Sequence, residues 1–160
     1  MDHNGFAGEI ALDGTAATAA FGARIAAGLG VGDAVALEGD LGAGKTTLAR
    51  AILRGLGVAE DVPSPTFTLV QHYETPRLAV RHYDFYRIET PRELDELGLD
   101  EALDEGAVLI EWPERAPERI PADALHIRLS VTGERARLAK IAGPARWRDI
   151  LKAAPENIHV

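Results

Sequence analysis

Short apolar runs and helical spacings of apolar residues follow one another along the chain. Residues 34–38 form a mostly apolar run that ends before a glycine, as expected for a strand buried on both faces of a parallel sheet. Residues 45–56 place Leu48, Ile52 and Leu56 four positions apart, which predicts one apolar face of a helix. The pattern therefore predicts a buried strand followed by an amphipathic helix.

The N-terminal segment has the same order of strand and helix. Residues 8–12 predict a short strand, and the apolar residues between positions 21 and 29 recur every four residues, which indicates a first helix. Asp13 and Thr15 are predicted to cap this helix, because their side-chain oxygens can accept hydrogen bonds from its exposed N–H groups.

The downstream pattern predicts a hairpin, further strands and two more helices. Residues 66–73 and 78–88 are predicted to be strands joined by a tight Thr-Pro-Arg turn. The other predicted elements are strands over residues 107–112, 125–131 and 135–141, a helix opened by Pro91, and a last helix around Trp147, Ile150 and Leu151. Strand–helix units combined with hairpins predict an α/β sandwich with a mixed sheet, parallel at its centre and extended by antiparallel hairpins.

Length and composition narrow the class of protein. A chain of 160 residues is predicted to form one domain over residues 1–160, and the absence of cysteine is compatible with a reducing compartment. The N-terminus lacks the basic and apolar regions of a signal peptide, and no apolar run reaches the roughly 18–20 residues that span a bilayer. We therefore expect a cytoplasmic protein without a membrane partner.

The net charge of −8 argues against a protein that holds nucleic acid by itself, because such proteins carry a basic face. Arginines are concentrated in the C-terminal third of the chain. Two interpretations of them stay open, a local basic patch and a solvated surface stabilised by salt bridges.

A phosphate-binding loop lies between the predicted buried strand and its helix. Residues 39–46 match G-x-x-x-x-G-K-T, in which glycines let successive N–H groups surround phosphate oxygens at a helix N-terminus. Lys45 can reach the β- and γ-phosphates, and the Thr46 hydroxyl can ligate Mg²⁺. The predicted nucleotide-binding residues are Gly39, Asp40, Leu41, Gly42, Ala43, Gly44, Lys45, Thr46 and Thr47. The fold class is therefore predicted to be a three-layer sandwich of the P-loop nucleotide-hydrolase type.

The sequence favours ATP over GTP. P-loop GTPases usually read guanine through an Asn-Lys-x-Asp or Thr-Lys-x-Asp segment, and the lysines of this chain are Lys45, Lys140 and Lys152. None of the three lies in such a segment, so ATP with Mg²⁺ is the predicted ligand.

Two carboxylates end apolar strands and are candidates for the chemistry. Glu111 can ligate Mg²⁺ directly or through water, and Asp84 can do the same or orient the attacking water. A structural role stays open for each, since Glu111 can cap a turn and Asp84 can pair with a nearby arginine. Residues 64–66 (Ser-Pro-Thr) can form a switch that contacts the γ-phosphate through Thr66, or merely a turn before a strand.

Three further residues are interpreted as structural. His72 and His82 lie in strand-like runs without a surrounding cluster of metal-ligand types, so we interpret them as packed or surface residues. Trp112 is interpreted as a core or interface anchor.

Five segments together resemble the bacterial TsaE (YjeE) family. They are residues 39–47, residues 64–70, residues 82–87 (HYDFYR), residues 93–98 and residues 110–113 (IEWP), in this order, and the resemblance covers about residues 8–142. The family consists of P-loop ATPases required for threonylcarbamoyladenosine at position 37 of tRNA. The resemblance implies an ATPase subunit that acts with TsaB and TsaD, which would hold the tRNA. Because the sequence shows no convincing arginine finger fixed near the loop, we expect weak ATP hydrolysis by the chain alone and dependence on its partners.

The resemblance also implies roles for individual residues. Lys45, Thr66, Asp84 and Glu111 match the catalytic positions, and Glu111 also matches the metal-side carboxylate beside Thr46. Thr15 lies near the position where the family holds its nucleotide. Arg135 follows a hairpin turn where the family makes another nucleotide contact, although the neighbouring glutamate departs from the local pattern.

Two alternatives to a regulatory ATPase remain at this stage. A P-loop small-molecule kinase would need an acceptor pocket and an arginine-bearing lid, for which Arg115 and Arg119 are the candidates among several prolines. A nucleotide-sensing module without turnover would need neither candidate carboxylate.

Overall fold

The computed structural model describes residues 5–66, 68–152 and 154–155. Its strands are β1 (Gly5–Asp13), β2 (Ala34–Glu38), β3 (Val70–Glu74), β4 (Ala79–Asp84), β5 (Gly106–Glu111), β6 (Leu125–Val131), β7 (Ala136–Pro144) and β8 (Ala154–Pro155). Its helices are α1 (Thr15–Gly28), α2 (Lys45–Gly55), α3 (Glu93–Glu96), α4 (Leu99–Glu105) and α5 (Arg146–Leu151).

The eight strands form one mixed sheet in the order β3-β4-β5-β2-β6-β7-β1-β8. Strands β4, β5, β2 and β6 run parallel to their neighbours in this series, whereas β3, β7, β1 and β8 pair antiparallel. The predicted mixed sheet with a parallel centre is therefore confirmed. The central strands are apolar because helices cover both of their faces.

Helices pack on both faces of the sheet and complete three layers. On one face, Phe21 and Ile25 of α1, Ile52 of α2 and Trp147 of α5 belong to the larger apolar core. On the other face, the smaller core includes Leu94 of α3 together with residues of α4 and β5. The spacings of four residues read from the sequence thus correspond to buried helix faces.

The topology brings the carboxyl ends of three parallel strands together. The chain leaves β2 at residues 39–44 and enters α2, while β5 and β4 end at Glu111 and Asp84. Asp84 and Glu111 are register partners, and Glu111 also pairs with Leu37 of β2. A crevice at the carboxyl ends of parallel strands is where α/β sheets usually bind ligands.

The predicted capping of α1 is wrong. Gly14 occupies the N-cap position, and no side-chain cap hydrogen bond forms there. Asp13 is instead the last residue of β1, where it pairs with Ala136 of β7 as part of the sheet. Within the helix, the Thr18 hydroxyl donates to the Gly14 carbonyl oxygen, at 3.4 Å.

Several predicted bounds differ from the observed ones. The strand predicted over residues 66–73 begins only at Val70, and Phe67 lies outside the described residues; the strand predicted over residues 78–88 ends at Asp84. Helix α3 begins two residues after Pro91. The ends of the predicted domain, residues 1–4 and 156–160, also lie outside the described residues. Within the described part of the chain, no helix is long and apolar enough to cross a membrane.

Candidate functional site

The phosphate loop connects β2 to α2 and depends on glycine. Gly39, Gly42 and Gly44 have φ angles of +147°, +81° and +107°, which residues with a Cβ rarely adopt. A Cβ on Gly39 would also lie 2.7 Å from the carbonyl oxygen of Leu129 on β6. The loop therefore reaches the N-terminus of α2, whose first N–H groups have no partners within the helix and suit an anion.

Lys45 is folded back onto the loop. Its side chain is buried, and Nζ donates to the carbonyl oxygens of Gly39 and Asp40, the latter at 3.0 Å. Nζ also lies 4.1 Å from the ring centroid of Trp112. Burial lowers the pKa of Lys45, while the carboxylate of Glu111 opposes this effect. The ammonium group is thus held by neutral acceptors, which a charged phosphate can displace.

Glu111 connects α2 to the central strands. The Thr46 hydroxyl donates to both carboxylate oxygens of Glu111, at 2.8 and 3.0 Å. On the other side, Nε2 of His82 lies 2.7 Å from Oε2 of Glu111, and both side chains are almost completely buried. The two residues predicted to hold Mg²⁺, Thr46 and Glu111, are therefore in direct contact.

Asp84 contacts the segment proposed as a switch. Its carboxylate accepts hydrogen bonds from the backbone N–H of Tyr86 at 2.9 Å and from the Thr66 hydroxyl at 3.3 Å. The hydroxyls of Ser64 and Thr66 lie 2.7 Å apart. Burial raises the pKa of Asp84 and the nearby Glu111 carboxylate raises it further, although the Tyr86 and Thr66 hydrogen bonds oppose the shift.

One cavity of about 240 Å³ joins these groups. All four predicted catalytic residues, which come from four different segments of the chain, line this cavity. Leu41, Gly42 and Gly44 of the loop line it as well. Its lining residues are Leu41, Gly42, Gly44, Lys45, Thr46, Thr47, Ser64, Thr66, Asp84, Glu111 and Trp112. The arrangement presents an ammonium group, hydroxyls, backbone N–H groups and two carboxylates to one small space.

A second, larger cavity of about 490 Å³ lies on the other side of the loop. Thr15 and Arg135, the two residues outside the loop that were predicted to bind the nucleotide, both line it. Gly44 and Thr47 line both cavities, so the two spaces meet at the N-terminus of α2. Ala43 lines the larger cavity, whereas Gly39 and Asp40 line neither of the two and border a further depression beside Trp112.

Sequence reasoning missed two residues that hold the site in place. His82 was interpreted as a packed or surface residue, and it is packed, but its ring contacts Glu111. Its position two residues before Asp84 on one strand was a usable signal, because such residues share a face. Arg137 donates to the carbonyl oxygens of Gly42 and Ala43 across 95 and 94 positions of sequence, and no local pattern indicates this contact.

Comparison with known proteins identifies the family. A family model described as the threonylcarbamoyl adenosine biosynthesis protein TsaE matches residues 12–139. The chain belongs to the TsaE family. Its members are proteins of threonylcarbamoyladenosine biosynthesis on tRNA, and the resemblance carried by the five sequence segments is confirmed.

Individual relatives agree with the family match. The TsaE protein of Rickettsia prowazekii is 43% identical over 110 residues, which are 68% of this chain and 76% of that protein. The TsaE protein of Haemophilus influenzae is 35% identical over 120 residues, or 74% of this chain and 76% of that protein. Both are designated tRNA threonylcarbamoyladenosine biosynthesis proteins.

A solved structure confirms the fold class. The crystal structure of YdiB from Bacillus subtilis superposes with a TM-score of 0.77 and 30% sequence identity. The match covers 94% of this chain and 95% of YdiB. The α/β architecture therefore extends over almost the full length of both TsaE-like chains.

Proposed function

We propose that this TsaE-family protein binds ATP with Mg²⁺ and hydrolyses it in support of threonylcarbamoyladenosine formation at position 37 of tRNA, acting with TsaB and TsaD. One observation carries the proposal, the junction of two cavities at Gly44 and Thr47. The two joined cavities match the two portions of ATP, which are a nucleoside and a charged triphosphate. A P-loop holds the phosphates next to the point where these portions join.

The smaller cavity suits the triphosphate. Backbone N–H groups of the glycine-rich loop and of the first turn of α2 provide donors to phosphate oxygens, and Lys45 provides a positive charge. Thr47 can donate a further hydrogen bond from the same turn. The larger cavity, with Thr15 and Arg135 on its walls, suits the adenosine.

The donor set in this cavity fits Mg²⁺. The ion prefers oxygen ligands and is usually held by one or two protein groups plus phosphates and water. The Thr46 hydroxyl and the Glu111 carboxylate are such oxygens, and they lie 2.8 Å apart. When bound, Mg²⁺ neutralises charge on the β- and γ-phosphate oxygens. His82 keeps the carboxylate of Glu111 on the side of Thr46 by bonding its Oε2.

Asp84 is suited to orienting the attacking water. In hydrolysis, the water oxygen bonds to the γ-phosphorus, the bond to the β–γ bridging oxygen breaks, and ADP and phosphate leave. Asp84 lies at the rim of the same cavity and can accept a hydrogen bond from that water. Thr66 donates to Asp84, so a movement of residues 64–66 would report the presence of the γ-phosphate.

Exposed apolar side chains beside the smaller cavity support the proposal that ATP hydrolysis depends on partner proteins. Leu41 is 74% exposed at the tip of the loop. Tyr86 is 38% exposed, and its ring packs at a tilt against that of Trp112, with centroids 4.8 Å apart. Exposed apolar side chains beside a functional site favour protein contacts. In the part of the chain that the structure describes, no arginine lines the smaller cavity, and an arginine finger is worth about 10³–10⁵ in rate. TsaB and TsaD would supply or order the missing group and would hold the tRNA.

Steady-state phosphate release tests the proposal. We expect slow release from ATP by the purified chain and faster release when TsaB, TsaD and tRNA are added together. Release that stays fast and unchanged by those additions would support the small-molecule kinase alternative, in which water substitutes for an absent acceptor. Absence of release in every mixture, with ATP still bound, would support a sensing module.

A further inference from the structure

Arg137 joins the β6–β7 hairpin to the phosphate loop. Its Nε donates to the carbonyl oxygen of Ala43 at 3.0 Å, and one terminal nitrogen donates to that of Gly42 at 3.4 Å. The other terminal nitrogen donates to Gly133 and Ala136 of the hairpin, at 3.4 and 3.0 Å. One planar guanidinium group therefore bonds two carbonyls of the loop and two of the hairpin.

These contacts determine the direction of a loop N–H group. A trans peptide group is planar, so its carbonyl oxygen and its N–H point in opposite directions. The carbonyl of Ala43 and the N–H of Gly44 belong to the same peptide group, and the described residues contain no cis peptide. When Arg137 holds the Ala43 carbonyl, the Gly44 N–H points away from the guanidinium group. Gly44 lines both cavities of the site.

The loop needs such an external contact. Gly42 and Gly44 on either side of Ala43 have positive φ angles and rotate more freely than other residues. Without a donor at the carbonyls, the peptide group could turn and offer its oxygen, which repels phosphate. Within residues 5–66 and 68–152, no carboxylate lies within ion-pair distance of Arg137, so its guanidinium donors are directed to carbonyl oxygens of the loop and the hairpin.

We propose that Arg137 is a positioning residue, which presets the peptide groups of Ala43 and Gly44 so that the loop binds phosphate. This inference rests on the proposed binding of ATP at the same site. Arg137 would thus affect the binding of the phosphates, although it lies on β7, away from the strand that leads into the loop, and lines the larger cavity.

Two ligands separate positioning from contact with the nucleoside. We would titrate Mg²⁺–ATP and inorganic tripolyphosphate with Mg²⁺ into the parent, Arg137→Met and Arg137→Lys. Without the Arg137 contacts, only a fraction of the free loop would keep the binding orientation, and the apparent affinity falls by that fraction. We therefore expect roughly tenfold weaker binding of both ligands to Arg137→Met. Arg137→Lys should fall between this variant and the parent, because an ammonium group cannot reproduce the planar fork. Lys140→Met is the matched control, since Lys140 is an exposed cation of the same strand.

The outcomes are distinguishable. Weaker ATP binding with unchanged tripolyphosphate binding would mean that Arg137 only contacts the nucleoside, and would overturn the inference. Tripolyphosphate binding by Arg137→Lys that equals binding by the parent would also overturn the inference. This measurement tests the inference even if Arg137→Met does not fold. If Lys45→Ala also binds both ligands like the parent, the proposed function fails instead. The Gly44 amide resonance of the ligand-free protein should shift in Arg137→Met but not in Lys140→Met.

Discussion

At the scale of single residues, Lys45 illustrates how the free protein prepares for an anion. Its ammonium group bonds the carbonyls of Gly39 and Asp40 and lies over Trp112, so it is shielded from water without an ion pair at close range. Hydrogen bonds between ionised partners are stronger than those to neutral carbonyls. Phosphate oxygens can therefore replace the loop carbonyls with a net gain.

Lys45→Ala should weaken ATP binding about tenfold or more, because a charge-assisted contact of this kind is worth roughly 1.5–3 kcal/mol. The melting temperature of the ligand-free variant should change little, since the hydrogen bonds lost are offset by removal of a buried charge. Calorimetric titration measures the first effect and thermal unfolding the second, with Lys140→Ala as the control. Unaltered ATP affinity would contradict the phosphate-loop assignment.

Asp84 illustrates a residue whose placement opposes stability. Burial raises its pKa, so the folded protein binds the proton of this carboxyl more tightly than the unfolded chain does. The contribution of Asp84 to the free energy of unfolding is therefore greatest below the unfolded-state pKa and falls as pH rises through the folded-state pKa. A carboxyl group whose ionised form is disfavoured by burial is retained here, as is common at functional sites.

Asp84→Asn should consequently melt at a higher temperature than the parent at pH 8, with a smaller difference at pH 5. The same variant should lose ATP hydrolysis in the complete assembly while keeping most ATP binding. Thermal unfolding with EDTA present measures the stability, and Asp123→Asn, at an exposed carboxylate, is the control. A lower melting temperature than the parent at both pH values would show that ionised Asp84 stabilises the fold.

At the scale of elements, α1 and α2 approach each other closely through glycine. A Cβ on Gly22 of α1 would lie 2.5 Å from the Cβ of Ala51 and 2.7 Å from its carbonyl carbon. A Cβ on Gly55 of α2 would likewise lie 2.8 Å from the Cβ of Ala26. These contacts bring the helix that follows the phosphate loop against the first helix, whose N-terminus borders the larger cavity. Helix propensity alone would have favoured alanine at both glycines.

Gly22→Ala should destabilise the protein by about 1–3 kcal/mol, because overpacking outweighs the gain of about 1 kcal/mol from helix propensity. Urea unfolding measures the change. Ala20→Gly, at an exposed position of the same helix, measures the effect of helix propensity alone, because no packing changes there. Adding Ala51→Gly should restore part of the loss, because the nearest atom is removed while the backbone of residue 51 remains. A more stable Gly22→Ala variant would contradict the observed helix contact.

At the scale of the whole molecule, the acidic chain and the position of the cavity agree with an ATPase that works within an assembly. The net charge of −8 is the basis for our proposal that other chains hold the tRNA. The smaller cavity lies beside the exposed side chains of Leu41 and Tyr86, so a partner seated there would contact the groups proposed to detect the γ-phosphate.

ATP and the partners should therefore bind cooperatively. If ATP tightens the binding of the TsaB–TsaD complex by some factor, that complex must tighten the binding of ATP by the same factor. Titrating the complex into the chain with ATP, with ADP and without nucleotide measures the first factor. Equal affinities in all three conditions would exclude a nucleotide-dependent interface. The Tyr86→Ser variant should weaken complex formation, because this side chain is exposed beside the smaller cavity. It should leave ATP affinity for the isolated chain unchanged within about twofold, a shift of under about 0.5 kcal/mol, because Tyr86 lines neither of the two cavities.

The elements with strong local patterns were predicted from sequence. Residues 34–38 and 125–131 are strands with the predicted bounds, and α2 ends one residue before the predicted position. The glycine torsions of the loop at residues 39–46 were predicted because they are encoded within eight adjacent residues, whereas its binding of phosphate stays a prediction. Bounds failed where tertiary contacts compete with local preference, as at Thr66, Thr68 and Leu69, where turns or a bend stand in place of the predicted strand.

The amino-acid sequence by itself determined the loop, the alternation of strands and helices, and the family to which the chain belongs. Tertiary structure alone decided that Thr46 bonds Glu111 across 65 positions, that His82 holds the same carboxylate, and that Arg137 holds the loop from another strand. Local preferences act over a few residues, whereas these contacts depend on strand order and register. Strand order follows from burying two apolar faces at once, which only the folded sheet achieves.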